Sequence, residues 1–204
     1  MRPVVAAFDL DGTLTDRDCV LPYLSGLIGK RQLLTSTAIE ISRQPRVLND
    51  RDSLKAVLAA SLAGIDSQRA DDWARRFVTD QVKHWFRPPL LAQLLRHRDA
   101  GHHVVIVSAS FDQYVKLIAE DLEVDFLATG LESSEGILTG RLVGPNCRGA
   151  EKVVRLSAWA ELHLGAALTE IDLHAFGDSK GDRQLLEVAG HSCLVRPARR
   201  WSLV

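Results

Sequence analysis

The chain has 204 residues, 46% of them apolar and 25% charged, with a formal net charge of −1 and a pI near 6.7. That balance fits one medium globular domain, or a core with a small inserted one, and it excludes nucleic acid as a bulk electrostatic partner. Three scattered cysteines, Cys19, Cys147 and Cys193, exclude a disulfide framework or a zinc-knuckle spacing. They fit a reducing compartment, so a cytoplasmic location is expected. No apolar run reaches the length of a membrane span, so no stable membrane insertion is expected. Met1-Arg2-Pro3 leads straight into a strand, which leaves no room for a signal peptide.

The run Val4-Val5-Ala6-Ala7-Phe8 predicts a buried strand. Asp9-Leu10-Asp11-Gly12-Thr13-Leu14-Thr15 follows it, with a turn at Gly12. Residues i and i+2 of an extended segment project to one side, so Asp9 and Asp11 can face one small ligand together. Held that close, two acids repel unless a cation or a shared proton separates them. The stretch 18–85 reads as almost wholly helical, with segments at 20–28, 32–43, 52–62 and 67–85. Breaks are expected at Gly29, Gln44-Pro45 and Ala63-Gly64, with Asp50 and Ser67 as N-caps.

Pro88-Pro89 opens a helix with an apolar stripe of Leu90, Leu91, Leu94 and Leu95. The spacing then predicts a strand over 103–107 ending at Ser108, a helix over 111–122 and a strand over 124–128. A hairpin is expected over 131–142, turning at Ser133-Ser134-Glu135-Gly136. A helix over 148–163, a strand over 173–176, a short helix over 182–189 and a strand over 192–195 complete the chain. Alternating strands and helices predict an α/β fold, a three-layer Rossmann-like parallel sheet with an inserted all-helical module. Ligands of such sheets bind beyond the carboxyl ends of the strands. Gly177-Asp178-Ser179-Lys180-Gly181-Asp182 lies there too, after the apolar run Leu173-His174-Ala175-Phe176. Carboxylates delivered from two strand ends suit a hard cation such as Mg2+.

Other signals carry less. The string from Cys193 to Arg199 has the Cys-x5-Arg spacing of cysteine-dependent phosphatases. It lacks glycine, and Pro197 removes an amide that a phosphate loop needs. Cys193 is instead expected as a small buried residue of the last strand. The seven histidines show no i, i+4 pairing, and His102-His103 in a strand cannot both face one metal. Trp85-Phe86 and Trp201 are expected in the core, and Arg196, Arg199 and Arg200 in a solvated terminus.

Four segments in order resemble the haloacid dehalogenase-like phosphohydrolase superfamily. They are Asp9 to Thr15, Val107-Ser108-Ala109-Ser110, Lys152 within Cys147-Arg148-Gly149-Ala150-Glu151-Lys152, and Gly177-Asp178 through Asp182. The branch they resemble holds phosphoserine phosphatases and a related phosphatidylglycerophosphate phosphatase. The resemblance implies a catalytic core of residues 1–17 and 86–204 and a helical cap of residues 18–85. It implies Asp9 as a nucleophile that forms an aspartyl-phosphate, and Asp11 as general acid and base. Mg2+ would be held by Asp9, Asp178 and the backbone carbonyl of Asp11. Ser108, the Ala109 amide and Lys152 would bind phosphate, with Asp182 in support. Arg148, Arg155 and Lys180 are nearby bases that could share or take the Lys152 role. Asp11 favours a phosphatase over a dehalogenase, which has no leaving group to protonate. A phosphotransferase or mutase shares all these residues, and an inert binding module is the remaining rival.

The implied substrate is a small phosphorylated metabolite or a phospholipid headgroup, met by Asp18, Tyr23 and Lys55 of the cap. Asp18 stands where phosphoserine enzymes have a glutamate, and Gly181 where they have an asparagine. Lys55 or Val57 stands where they place a carboxylate-binding arginine, with Arg51 as an alternative clamp.

Overall fold

The computed structural model describes residues 2–43 and 50–196. A single sheet is built from β1 (Val4–Phe8), β2 (His103–Phe111), β3 (Asp125–Ser134), β4 (Ile137–Val143), β5 (Asp172–Gly177) and β6 (His191–Leu194). Its spatial order is β4-β3-β2-β1-β5-β6, parallel throughout except for the antiparallel β3–β4 pair. β1 lies inside the sheet and is buried on both faces, as its Val-Val-Ala-Ala-Phe run requires. Ala6 and Phe8 enter one apolar cluster, while Val5 and Ala7 enter another.

Helices α5 (Pro88–Asp99) and α6 (Asp112–Leu122) close the first face through Leu94, Tyr114, Val115 and Ile118. Helices α7 (Ala150–Leu164) and α8 (Arg183–Val188) close the second through Leu156, Trp159, Ala160 and Leu185. The result is the three-layer α/β architecture. Phe8 stacks on its cross-strand partner Phe176 at 4.2 Å between ring centroids. From β1 the chain runs to β2 on one side and later returns to β5 on the other. That reversal of strand order opens a crevice at the carboxyl ends of β1 and β5.

The segment between β1 and β2 carries α1 (Val20–Ile28), α2 (Lys30–Arg43), α3 (Arg51–Ala60), α4 (Ser67–Asp80) and a 3₁₀ turn, Val82–His84. Its entry and exit run side by side and antiparallel. Thr15 pairs with Phe86, Asp16 N–H donates to Trp85 O at 2.8 Å, and Arg87 N–H donates to Leu14 O at 2.7 Å. Asp50 caps α3, accepting from the amides of Asp52 at 3.3 Å and Ser53 at 2.8 Å. At α4 the cap is Asp66, one residue before the expected Ser67; its carboxylate accepts from Arg69 N–H at 2.8 Å. A carboxylate also complements the positive end of the helix dipole, which a serine hydroxyl does not. The break expected at Gln44-Pro45 lies outside the described residues, as do Arg199, Arg200 and Trp201.

Other boundaries differ from the expected ones for identifiable reasons. β2 runs on past Ser108 to Phe111, with a shift of register against β3 between Val107 and Phe111. β3 is one strand where two were expected, because its first half pairs with β2 and its second half with β4. Glu135 and Gly136 form the two-residue turn to β4, both with positive φ (51° and 78°), the backbone of a tight hairpin. The long final segment of the insertion ends as a helix at Asp80, and only the 3₁₀ turn continues. Cys193 does lie in the last strand but is exposed, because β6 is a short strand at the sheet's edge. Among the described residues no helix is long and apolar enough to cross a membrane.

The insertion contains one very close helix contact. A Cβ on Gly26 of α1 would lie 2.0 Å from Cζ2 of Trp73 on α4. The indole cannot easily retreat, because its Nε1–H donates to Tyr23 O at 2.9 Å. Gly26→Val should therefore lower the stability of the protein by about 1–3 kcal/mol through overpacking. Urea denaturation midpoints of the two proteins check this, and an unchanged midpoint would contradict it.

Candidate active site

Asp9 stands immediately after β1, with its amide still bonded to Phe176 O at 2.9 Å. Gly12 then turns the chain at φ +82°, and a Cβ there would lie 2.3 Å from Oδ2 of Asp178. Glycine is required twice over, by the backbone and by the close approach of the second acidic loop. Arg87 holds the turn by donating from Nη1 to Gly12 O at 2.8 Å. Gly177, at the end of β5, makes similar room: its Cβ would meet Cβ of Asp182 at 2.4 Å.

Lys152, in the first turn of α7, joins the two acidic segments. Its ammonium donates to Asp9 Oδ1 at 2.6 Å and to Asp182 Oδ1 at 2.5 Å, and the residue is 1% exposed. The other oxygen of Asp182 accepts from Ser179 N–H at 3.1 Å and Ser179 Oγ at 2.9 Å. The other oxygen of Asp9 accepts from Thr13 Oγ1 at 3.2 Å. Asp11 is held from two sides: Cys19 N–H donates to Oδ1 at 2.9 Å and Ser110 Oγ donates to Oδ2. Ser108 is buried, and its hydroxyl accepts from Ser110 N–H at 3.1 Å.

A cleft of about 630 Å³ collects Asp9, Asp11, Ser108, Ala109, Lys152, Asp178 and Asp182. Carboxylate oxygens of Asp9, Asp178 and Asp182 lie within 4.8 Å of one another. Burial pushes the Asp9 carboxyl up to about 7, against the pull of Lys152 and with the help of Asp182 and Asp11. Burial also raises Asp11 to about 6, with the nearby charge of Asp18 adding to it. Asp178 is raised by burial and then by Asp182. Burial works against the Lys152 charge, but Asp9 and Asp182 outweigh it and keep the ammonium. The Lys152 ammonium alone cannot balance the carboxylates of Asp9, Asp178 and Asp182 around it. The donors are all oxygen, so the set fits a hard divalent cation.

A family model described as haloacid dehalogenase-like hydrolase matches residues 6–187. The chain belongs to the haloacid dehalogenase-like hydrolase family. Protein CicA of Caulobacter vibrioides is 33% identical over 194 residues, covering 92% of this chain and 84% of that protein. The phosphoserine phosphatase of Albidiferax ferrireducens is 28% identical over 191 residues, covering 91% and 76%. In fold, the chain matches a solved protein of unknown function from Bordetella pertussis Tohama I. The TM-score is 0.79 at 24% identity, with 95% and 90% of the two chains covered.

This hydrolase brings most of the sequence-predicted residues together, and three of the insertion's residues divide. Asp18 lines the cleft, but its Oδ1 accepts from the amides of Val20 at 2.8 Å and Leu21 at 3.3 Å, so it also starts α1. Lys55 lines the cleft, is 6% exposed, and sits 3.9 Å above the ring of Phe111. Burial lowers its pKa to about 8, although Asp11 and Asp18 oppose the fall. Tyr23 instead packs in the aromatic core with Phe77 and Tyr114, its hydroxyl donating to Gln113 Oε1 at 3.0 Å. It was expected to meet substrate, but its position on α1 turns it inward. Val57 is likewise buried in the core, while Arg51 and Arg148 line the cleft. Arg155 is occupied with Glu151, Ala128 O and Pro145 O.

Sequence reasoning assigned no role to Thr13, Arg87 or Ser110. Thr13 and Ser110 lie inside the motifs quoted above, Ser110 at i+2 from Ser108, whereas Arg87 carries no local signal.

The raised carboxyls have a thermodynamic consequence. A carboxyl whose folded pKa exceeds its unfolded value binds more protons in the native state, so stability falls as pH rises between the two values. For Asp11 the window runs from the unfolded value of 3.8 to about 6. In EDTA, Asp11→Asn should gain stability relative to wild type across that window, by on the order of 1–3 kcal/mol at its upper end. Urea titrations of both proteins from pH 4 to 7 check the trend. A difference that stays constant with pH would contradict it.

Proposed function

We propose that the protein is a Mg2+-dependent phosphoric monoester hydrolase that works through an aspartyl-phosphate on Asp9. The observation carrying this reading is the set of Asp9, Lys152, Asp182 and Asp178 at one end of the cleft, with Asp11 held beside them by Ser110 and Cys19. Asp9 attacks phosphorus, forming its P–O bond as the ester P–O bond breaks. Asp11 gives its proton to the departing alkoxide and then takes one from the water that cleaves the acyl phosphate. Its carboxyl, raised to about 6, keeps a protonated fraction available near neutral pH. Ser108, the Ala109 amide and Lys152 receive the phosphate oxygens. Mg2+, held by the carboxylates of Asp9 and Asp178 and the backbone carbonyl of Asp11, would supply the charge that lets an anionic nucleophile meet an anionic phosphate. Asp182 fixes Lys152.

On this reading residues 1–17 and 86–204 form the catalytic core and residues 18–85 a helical cap. The antiparallel crossing of Thr15-Asp16 with Trp85-Phe86-Arg87 supports those boundaries. The free cysteines fit a cytoplasmic location. The substrate is a small phosphorylated metabolite or a phospholipid headgroup. Val20, Leu21, Leu54 and Leu58 give the cleft an apolar wall, and Arg51 and Lys55 add positive charge. Free phosphoserine is not the preferred substrate, because Lys55 cannot reproduce the bidentate carboxylate clamp of an arginine and Arg51, the alternative clamp, stays exposed at the start of α3 on the cleft's edge.

Hydrolysis of p-nitrophenyl phosphate tests the reaction. Activity should vanish in EDTA and return with Mg2+, and Asp9→Asn should lower turnover at least about a thousandfold while leaving the fold intact. Near-normal turnover in folded Asp9→Asn would sink the mechanism. Phosphate delivered to an added alcohol in place of water would mark a phosphotransferase.

Substrate choice is tested separately by comparing kcat/KM for phosphoserine with phosphatidylglycerophosphate, histidinol phosphate and glycerol phosphates. Phosphoserine should trail at least one of them. Its winning by about tenfold, or about 1.4 kcal/mol, would overturn this reading of the cap.

A further inference from the structure

We propose that Asp172, His174 and His191 form a second metal site, one for a transition ion such as Zn2+ or Co2+, at the opposite end of β5 from the catalytic cleft. Asp172 and His174 are i and i+2 on β5, so they share one face of the strand. His191 is the parallel cross-strand partner of His174, which puts it on the same face of β6. The two imidazoles stack at 4.3 Å between centroids with 19° between their planes. Both direct Nε2 at the carboxylate of Asp172: His174 at 3.7 Å from Oδ2, and His191 at 3.3 Å from Oδ1. Ligand atoms of all three residues fall within 4.8 Å of one another.

These gaps have a chemical meaning. A charge-assisted hydrogen bond from an imidazolium to a carboxylate closes to about 2.7–2.9 Å. Ligands of a tetrahedral ion with bonds of about 2.0–2.1 Å stand roughly 3.3 Å apart. The 3.3 Å contact of His191 with Oδ1 matches the second spacing. His174 approaches the other oxygen, Oδ2, at 3.7 Å, so Asp172 would offer both oxygens and one of the nearly parallel rings would turn to bring both Nε2 atoms onto one ion. Two imidazole nitrogens and one carboxylate select a borderline ion such as Zn2+ or Co2+ over Mg2+. The catalytic carboxylates, offering oxygen alone, select the reverse.

The surroundings suit a bound ion with one open position. His174 is backed by His97 of α5, edge to face at 4.9 Å, so its ring is held from behind. The His191 side chain is 62% exposed, which leaves room for a water as fourth ligand. An ion here would staple β6, whose four residues are all exposed, to the strand that leads into Asp178. Asp178 follows His174 by four residue steps, about 13 Å at 3.3 Å per residue, so the two sites can be read independently.

The test is a Co2+ titration of the full chain with Mg2+ present, followed by visible d–d absorbance and by equivalents bound after dialysis. Wild type should take up one Co2+ with tetrahedral absorbance. His191→Ala should lose that equivalent or bind it at least about tenfold more weakly, while its Mg2+-supported turnover stays unchanged. His191→Gln guards against a defect of the alanine variant, and circular dichroism checks both folds. Asp178→Ala should keep the tetrahedral signal. Identical Co2+ uptake by wild type and His191→Ala would overturn the proposal. So would loss of the tetrahedral signal in Asp178→Ala.

Discussion

One buried ammonium organises this molecule. Lys152 reaches from α7 to Asp9 after β1 and to Asp182 after β5, with its side chain almost wholly removed from water. Taking a lysine and two aspartates out of solvent is expensive, and removing one partner from such a group leaves an uncompensated buried charge. The three groups are therefore interdependent. The cost is met by geometry, since the ammonium has an oxygen at 2.6 Å and another at 2.5 Å, and Ser179 satisfies the far side of Asp182. A salt bridge of this kind contributes little net stability. What it contributes is position: it fixes the Asp9 carboxylate against a helix and two strand ends at once.

The approach of those strand ends is possible only because side chains are missing where the loops meet. A methyl on Gly12 or Gly177 would stand 2.3 Å or 2.4 Å from atoms of Asp178 or Asp182. The crevice made by the reversal of strand order gives the loops a common space, and the glycines let them close it. Excess carboxylate charge is the outcome. The raised carboxyls of Asp9 and Asp178 register that stress, which the divalent cation proposed for this site would relieve.

Much of this was legible in the sequence, because the elements that build the site are also the most strongly patterned. β1 is an unbroken apolar run that ends in the acidic motif, and β5 repeats the device. Lys152 could be singled out only by motif order, since one lysine on a helix looks like any other; burial distinguishes it. Tyr23 was misread because its surroundings come from α4 and α6, far along the chain, and local pattern says nothing of which helix face they cover. The merging of two expected pieces into β3 was hidden for a similar reason. Its halves find different partners, and strand length follows from pairing. The histidines escaped because a search at helical spacing tests one element at a time. His174 and His191 lie 17 positions apart and meet through the register of β5 with β6.

Asp11 is held jointly by the insertion and the sheet. One of its oxygens is held by Ser110 from β2, and the other by the amide of Cys19 at the threshold of α1. A general acid must present its proton along one direction to the leaving oxygen. In the role proposed for Asp11 that direction would be set jointly by a strand of the core and by the residue that precedes the first inserted helix. Asp18 starts the same helix and raises Asp11 through its charge. Lys55, reaching into the cleft from α3, opposes that charge while paying for its own burial. A shift of α1 or α3 relative to the sheet would therefore change both where the proton of Asp11 points and how tightly it is held. Coupling of this kind needs no separate regulatory element: Asp18 and Lys55, which line the cleft, also tune the Asp11 carboxyl.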